Sequence, residues 1–254
     1  METRFWRRGI VAMVAAALLT GGSTAWADMT NEQVKELLNE LKLIRQALER
    51  APAPGQGAGA AAPAPDDKVS IAFTPGPMSM GSEKAPLVLV EYTDYQCPFC
   101  QQYHNSAFAQ IKANYVDTGK IRYVSRDFPL DFHENARRAA GAARCAAEQG
   151  KFWEMRHVMI VNAERLKADN LLTYAADVKL DVPKFKSCLD SDKFRPEIDK
   201  QIQEGMSAGV NGTPSFVLGR LENDKLQGVR LVGAQPYSSF DAKIQEMLNQ
   251  APKK

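Results

Sequence analysis

The apolar run Leu87-Val88-Leu89-Val90 is followed seven residues later by Cys97-Pro98-Phe99-Cys100. Bounded by Pro86, the run reads as a fully buried strand, because a strand covered on both faces loses its polar alternation. Pro98 suits the first turn of a helix, where its missing N–H costs nothing. The spacing predicts that helix from Pro98 to about Val116, with Gly119 as its break and Ile121-Arg122-Tyr123-Val124 as a second strand. Strand, helix and strand within about 40 residues make a βαβ unit with parallel pairing, so the chain is expected to be α/β.

A Cys-x-x-Cys pair binds metal, staples a loop or exchanges disulfides. Structural zinc needs four ligands, usually two such pairs or a cysteine pair with closely spaced histidines. Cys145 and Cys188 stand singly, and His104, His133 and His157 form no such histidine pair. A staple across two intervening residues removes little entropy from the unfolded chain. Redox exchange is left. At the start of a helix the first sulfur meets unpaired backbone N–H groups and the positive end of the helix dipole, which favours its thiolate. Cys97 is therefore read as the attacking sulfur, and Cys100, one turn further in, as the sulfur that resolves the mixed disulfide.

The chain begins with Arg4, Arg7 and Arg8, an apolar stretch from Ile10 to Leu19, and Ala25-Trp26-Ala27. That is the pattern of a secretory signal peptide over 1–27, cleaved after Ala27; an uncleaved anchor is the alternative. The apolar stretch is half the roughly 20 residues that a membrane span needs. Loss of the leader removes three basic residues and one acidic one, leaving 29 of each sign. A net charge near zero supplies no long-range field for nucleic acid or anionic lipid, so neither is expected as a partner. All four cysteines lie in the exported part, and an even count in an oxidising compartment permits two disulfides.

Residues 28–50 are read as an oligomerisation helix. Thr30 and Gln33 have the form of a capping box, and Val34, Leu37, Leu41, Ile44 and Leu48 recur at spacings of three and four. That heptad seam, widened by Leu38 and Ala47, predicts a coiled-coil homo-oligomer through residues 30–50; a helix folded back on its own domain is the alternative. Residues 51–65, APAPGQGAGAAAPAP, cannot bury a core and are expected to be a flexible linker spanning roughly 20 Å. The globular part then covers 66–254. An alanine-dense helical block interrupts it at about 134–205, strands return at 215–218 and 229–233 around a turn near Asn223-Asp224, and a helix closes it at about 236–249.

Three separated blocks, VLVEYTDYQCPFCQQY, RDFPLDFHENARRAAGAARCAAEQGKFWEM and GVNGTPSFVLG, resemble the DsbA-type thioredoxin-fold proteins of the bacterial envelope. The resemblance covers about 81–249. It implies a thioredoxin fold with an inserted helical domain, here preceded by the coiled-coil helix and flexible linker. It also implies thiol–disulfide exchange on exported, cysteine-containing proteins, without a cofactor. In the family a proline after a small residue faces the cysteines through a cis bond. The matching pair here is Thr213-Pro214, which with Pro98 and Phe99 forms the expected substrate-binding set. Such a bond exposes the Thr213 backbone to an extended substrate and keeps metals off the sulfurs. Glu91, six residues before Cys97, matches the buried acid that exchanges protons with the resolving cysteine. Burial there raises a carboxyl pKa and makes it a base near neutral pH, unless Glu91 is an exposed strand-end carboxylate. His104, seven residues after Cys97, is a further candidate.

Cys145 and Cys188 are expected to form a structural disulfide in an oxidising compartment, two buried free thiols being the alternative; the resemblance agrees, since some relatives carry such a bridge in the inserted lobe. Closing that loop would contribute about 4 kcal/mol in the chain-entropy model. Strongly oxidising relatives place a histidine between the active cysteines, where this chain has Phe99. With one thiolate-stabilising group gone, the expected potential lies between the extremes of the superfamily. The amino-terminal helix is the feature through which envelope isomerases and the ScsC relatives join their catalytic domains, raising effective concentration at a bound substrate. The sequence thus points to a periplasmic disulfide oxidoreductase with isomerase or reductase character, served by a membrane thiol-redox partner. A monomeric oxidase, a copper-handling dithiol protein holding soft Cu(I) and a binding scaffold are the alternatives.

Overall fold

The computed structural model of the 254-residue chain describes residues 68–73 and 76–250, together with Lys35, Leu38, Asn39 and Lys42. Those four are helical, and Leu38 is exposed. The leader, the linker, and the seam residues Val34, Leu37, Leu41, Ile44 and Leu48 lie outside the described residues. Among the described residues no helix is long and apolar enough to cross a membrane.

Six strands appear among the described residues: β1 (Lys68–Ala72), β2 (Ser79–Met80), β3 (Leu87–Thr93), β4 (Ile121–Asp127), β5 (Ser215–Glu222) and β6 (Lys225–Val232). They form one mixed sheet in the order β1-β6-β5-β3-β4-β2. β3 lies at its centre, parallel to β4 with Leu87 opposite Ile121, and antiparallel to β5 with Val90 opposite Val217. Every β3 residue is buried. Leu87 and Leu89 pack with Phe216, Phe240 and Ile244 on one face, while Val88, Val90 and Tyr92 pack with Phe128, Ala208 and Val210 on the other. With successive side chains on opposite faces, a strand covered on both sides must be apolar throughout, and this is the physical origin of the Leu87–Val90 run. The β5–β6 hairpin turns through Asn223 and Asp224, both at positive φ. Asn and Asp tolerate that conformation better than other non-glycine residues.

Helix α1 (98–116) follows β3 and is π-wound at His104–Phe108 and Lys112–Val116. Between β4 and β5 lie α2 (Ala136–Ala147), α3 (Phe152–Val161), α4 (Ala168–Asp177), α5 (Val182–Ser191) and α6 (Arg195–Ser207); α7 (Tyr237–Asn249) closes the described chain. Alanine is what lets α2 sit close to its neighbours: Ala139, Ala142, Ala143 and Ala146 pack with Met155, Met159, Leu171 and Phe185 in a core separate from those on the sheet. Cys145 of α2 is bonded to Cys188 of α5. At Gly205 of α6 a Cβ would stand 2.9 Å from the Phe128 ring and 3.0 Å from Tyr92, so the absent side chain is what lets α6 approach the sheet.

Candidate functional site

The turn between β3 and α1 is fixed by Asp94. Its Oδ1 accepts the Gln96 N–H at 2.7 Å, and its Oδ2 accepts the Leu130 N–H and meets His133 Nδ1, both at 2.8 Å. Its carbonyl accepts the Cys97 N–H at 3.1 Å. Gln96 Oε1 accepts the Asn135 N–H at 2.8 Å, which ties the turn a second time to the segment before α2. Cys97 is thereby set as the N-cap of α1, extended at φ −74° and ψ 122°, with Pro98 in the first turn. No side chain caps this end, so its amides are left for the sulfur.

Cys97 and Cys100 are free thiols. Cys97 Sγ donates to the Thr213 carbonyl at 3.3 Å, and the Thr213–Pro214 peptide is cis. The Cys97 pKa is lowered to about 6, first by a hydrogen bond from the Cys100 thiol and, against the penalty of burial, by the Thr213 side chain and the Cys100 and Phe99 amides. The amide cradle is thus present, but the partner thiol is the larger donor. Cys100 shifts the opposite way: burial pushes it well up, and the hydrogen bond to Cys97, the Cys97 charge and Glu91 add to the rise. Both residues are buried, Cys100 completely. Proton affinity separates them widely.

Glu91 is interior to β3 and completely buried, with a counter-charge that the sequence pattern does not reveal. Its Oε2 takes the Tyr123 hydroxyl and, at 2.5 Å, Arg156 Nη2 of α3; its Oε1 has no partner. Arg156 is 1% exposed and lies over the rings of Phe108 and Trp153. Its Nη1 reaches His104 Nδ1 at 3.2 Å, and His104 Nε2 meets His157 Nδ1 at 2.8 Å. A guanidinium only donates, so His104 accepts at Nδ1 and carries its proton on Nε2, which donates to His157. Burial, followed by the Arg156 and His157 charges, lowers the His104 pKa to about 3, which keeps that ring neutral.

The fold thus gathers Glu91, Cys97, Pro98, Cys100, Thr213 and Pro214 around one turn. Phe99 projects outward, 59% exposed, and Phe132 of the segment latched by Asp94 is 78% exposed. Cys145 and Cys188 lie elsewhere, in the helical lobe, beside a cleft of about 280 Å³ that none of the dithiol residues lines. Among the described residues no group of three or more His, Cys, Asp or Glu is arranged to hold a metal ion. Sequence reasoning missed Arg156, whose signal was a lone cation inside the apolar run FWEMRHVMI. It also missed the latch between Asp94 and His133, for which no local signal exists.

A family model described as Thioredoxin matches residues 73–230. Among curated proteins, the Na(+)/H(+) antiporter NhaA 3 of Salinispora tropica is 34% identical over 161 residues, covering 63% of this chain and 24% of the antiporter. The NhaA antiporter of Herminiimonas arsenicoxydans is 32% identical over 148 residues, 58% of this chain and 22% of its own length. The chain therefore spans about a quarter of those relatives. Among solved structures, Wolbachia pipientis alpha-DsbA1 superposes with a TM-score of 0.58 at 24% identity, over 67% of this chain and 89% of its own. Oxidised BdbD of Bacillus subtilis gives 0.61 at 21%, over 73% and 100%, and DsbA2 of Pseudomonas aeruginosa gives 0.54 at 22%, over 68% and 95%. By the family model and this shared architecture, the chain belongs to the thioredoxin family and has the DsbA-type fold.

Proposed function

We propose that the chain is a thiol–disulfide oxidoreductase of exported proteins, working through Cys97 and Cys100 with isomerase or reductase character. The observation that carries this reading is the divergence of two neighbouring thiols, one lowered to about 6 and the other pushed well up. At pH 7 the first is largely thiolate, the form that attacks a disulfide, and the second keeps its proton until it is needed. Cys97 attacks a substrate disulfide and forms a mixed disulfide, and the released substrate sulfur takes up a proton. Cys100 then gives its proton to Glu91 and attacks Cys97 Sγ, which closes the Cys97–Cys100 disulfide and frees the second substrate thiol. The dithiol loses two electrons and the substrate disulfide gains them. The same steps reversed oxidise a substrate.

Thr213 and Pro214 flank the sulfur and are proposed to bind extended substrate backbone. Pro98 and the exposed Phe99 ring are proposed to contact its apolar side chains. A Cys97 value of about 6 falls between the ≈ 7 of thioredoxin and the ≈ 3.5 of DsbA, which supports a potential between theirs. The remaining parts of the proposal are a leader at 1–27 directing the chain to the periplasm, an oligomerisation helix at 28–50, a linker at 51–65 and a redox domain at 66–254 carrying the helical insertion at about 134–205. A membrane thiol-redox partner resets the dithiol. Joined domains favour isomerisation because one binds a misfolded substrate while another exchanges its disulfide. Reactivation of scrambled ribonuclease by the mature chain, by the chain lacking 28–65 and by C97S tests the reading. The expected order is full, reduced and none. Equal reactivation by the first two removes the helix from the mechanism, and activity in C97S overturns the dithiol reading.

A further inference from the structure

A resolving thiol with a raised pKa needs a base that stays ionised in a dry interior, and burial alone drives a carboxyl group toward its protonated form, which cannot accept the Cys100 proton. The helical lobe changes that environment. Arg156 of α3 enters the thioredoxin core and bonds Glu91 Oε2 with Nη2, while Tyr123 takes the same oxygen. Both donors converge on one oxygen, and Oε1 is left buried without a partner. Behind it the guanidinium is held by packing over Phe108 and Trp153, and by the bond from Nη1 to His104, which in turn donates to His157. The other titratable groups facing the pair are Tyr95, Tyr103 and Tyr123, all pushed well up by burial and therefore neutral.

We infer that Arg156, braced by the His104–His157 pair, is a positioning residue for the resolving step: it holds Glu91 as an ion pair with Oε1 free to receive the Cys100 proton. The inserted lobe, on this account, supplies part of the redox machinery. In the step itself the Cys100 S–H bond breaks, its proton passes to Glu91 Oε1, a Cys100–Cys97 bond forms, and the Cys97–substrate bond breaks with its electron pair leaving on the substrate sulfur. The guanidinium is unchanged throughout. This inference rests on the dithiol reading and on Glu91 as the base.

The test is the release of glutathione from a Cys97–glutathione mixed disulfide of the mature chain, followed by stopped flow from pH 5 to 9. Wild type, E91Q, R156M and R156K are compared, with thermal unfolding of each as a control. General-base assistance is worth 10²–10⁴-fold, so E91Q should slow release about a hundredfold and R156M about tenfold, with a displaced pH midpoint. R156K keeps the charge but cannot bond Glu91 and His104 in one plane, and should slow release about threefold. The groups that lower Cys97 are Cys100, Thr213 and local amides, so its ultraviolet titration should be unchanged in all three variants. Slow release in E91Q with wild-type release and pH profile in R156M overturns the inference and leaves the base in place. Wild-type release in E91Q overturns the base itself. Should R156M fail to fold, R156K decides: a wild-type rate and profile refute the inference.

Discussion

Two cysteine pairs in this chain have opposite fates. Cys145 and Cys188 come from helices α2 and α5, 43 residues apart in sequence, and are joined as a disulfide. Cys97 and Cys100, three residues apart on one helical turn, are free thiols. The first pair is set against the alanine-rich helical core and borders a cleft lined by Arg137, Arg138, Asp190 and Lys193. The second pair has a capping turn fixed by Asp94, the Thr213 carbonyl, first-turn amides and an ion pair beneath it. A sulfur placed at an uncapped helix start, with a buried ion pair beneath it, is what distinguishes the proposed reactive centre from the fastener.

That contrast is most easily broken by removing one member of each pair. C97S should lower the rate of insulin reduction by at least about a thousandfold, because an alcohol cannot take the part of the attacking thiolate. The double variant C145A/C188A should keep that rate within about twofold while losing about 2–4 kcal/mol of stability in urea unfolding. Comparable loss of activity in the two variants would end the distinction. A smaller effect is expected at Gly205: G205A drives a methyl group onto the Phe128 and Tyr92 rings and should cost about 1–3 kcal/mol, as overpacking does. Smaller still is F99H, which introduces an ionisable imidazole between the two cysteines. A downward shift of one unit in the Cys97 midpoint corresponds to about 30 mV of more oxidising potential, measurable by equilibration with glutathione.

Much of the fold was legible because its signals are local. The Leu87–Val90 run, Pro98 and Gly119 delimit β3 and α1, and Asn223-Asp224 marks the β5–β6 turn. β1 and β2 were not anticipated. β2 is two residues long, and β1 is an edge strand whose pairing with β6 joins Ser70 to Gln227. No local periodicity encodes so distant a partner. The site divides in the same way. Cys97, Pro98, Phe99 and Cys100 follow from one motif, and Glu91, Thr213 and Pro214 from resemblance. Arg156 and His133 reach the site through contacts with residues 65 and 39 positions away in sequence, which only the packed lobe and the latched loop bring about.

The sign of the pH dependence follows from the lowered Cys97 value. A folded pKa of about 6 below the ordinary thiol value near 8.5 means that the thiolate stabilises the reduced protein fully above about 8.5, and that this gain fades as pH falls to about 6. The most direct measurement is the 240 nm thiolate absorbance of the reduced mature chain, with C97S as reference, titrated from pH 3 to 10. A transition near pH 6 that is absent from C97S is the expected result. A single transition at the pH of a free thiol would contradict it.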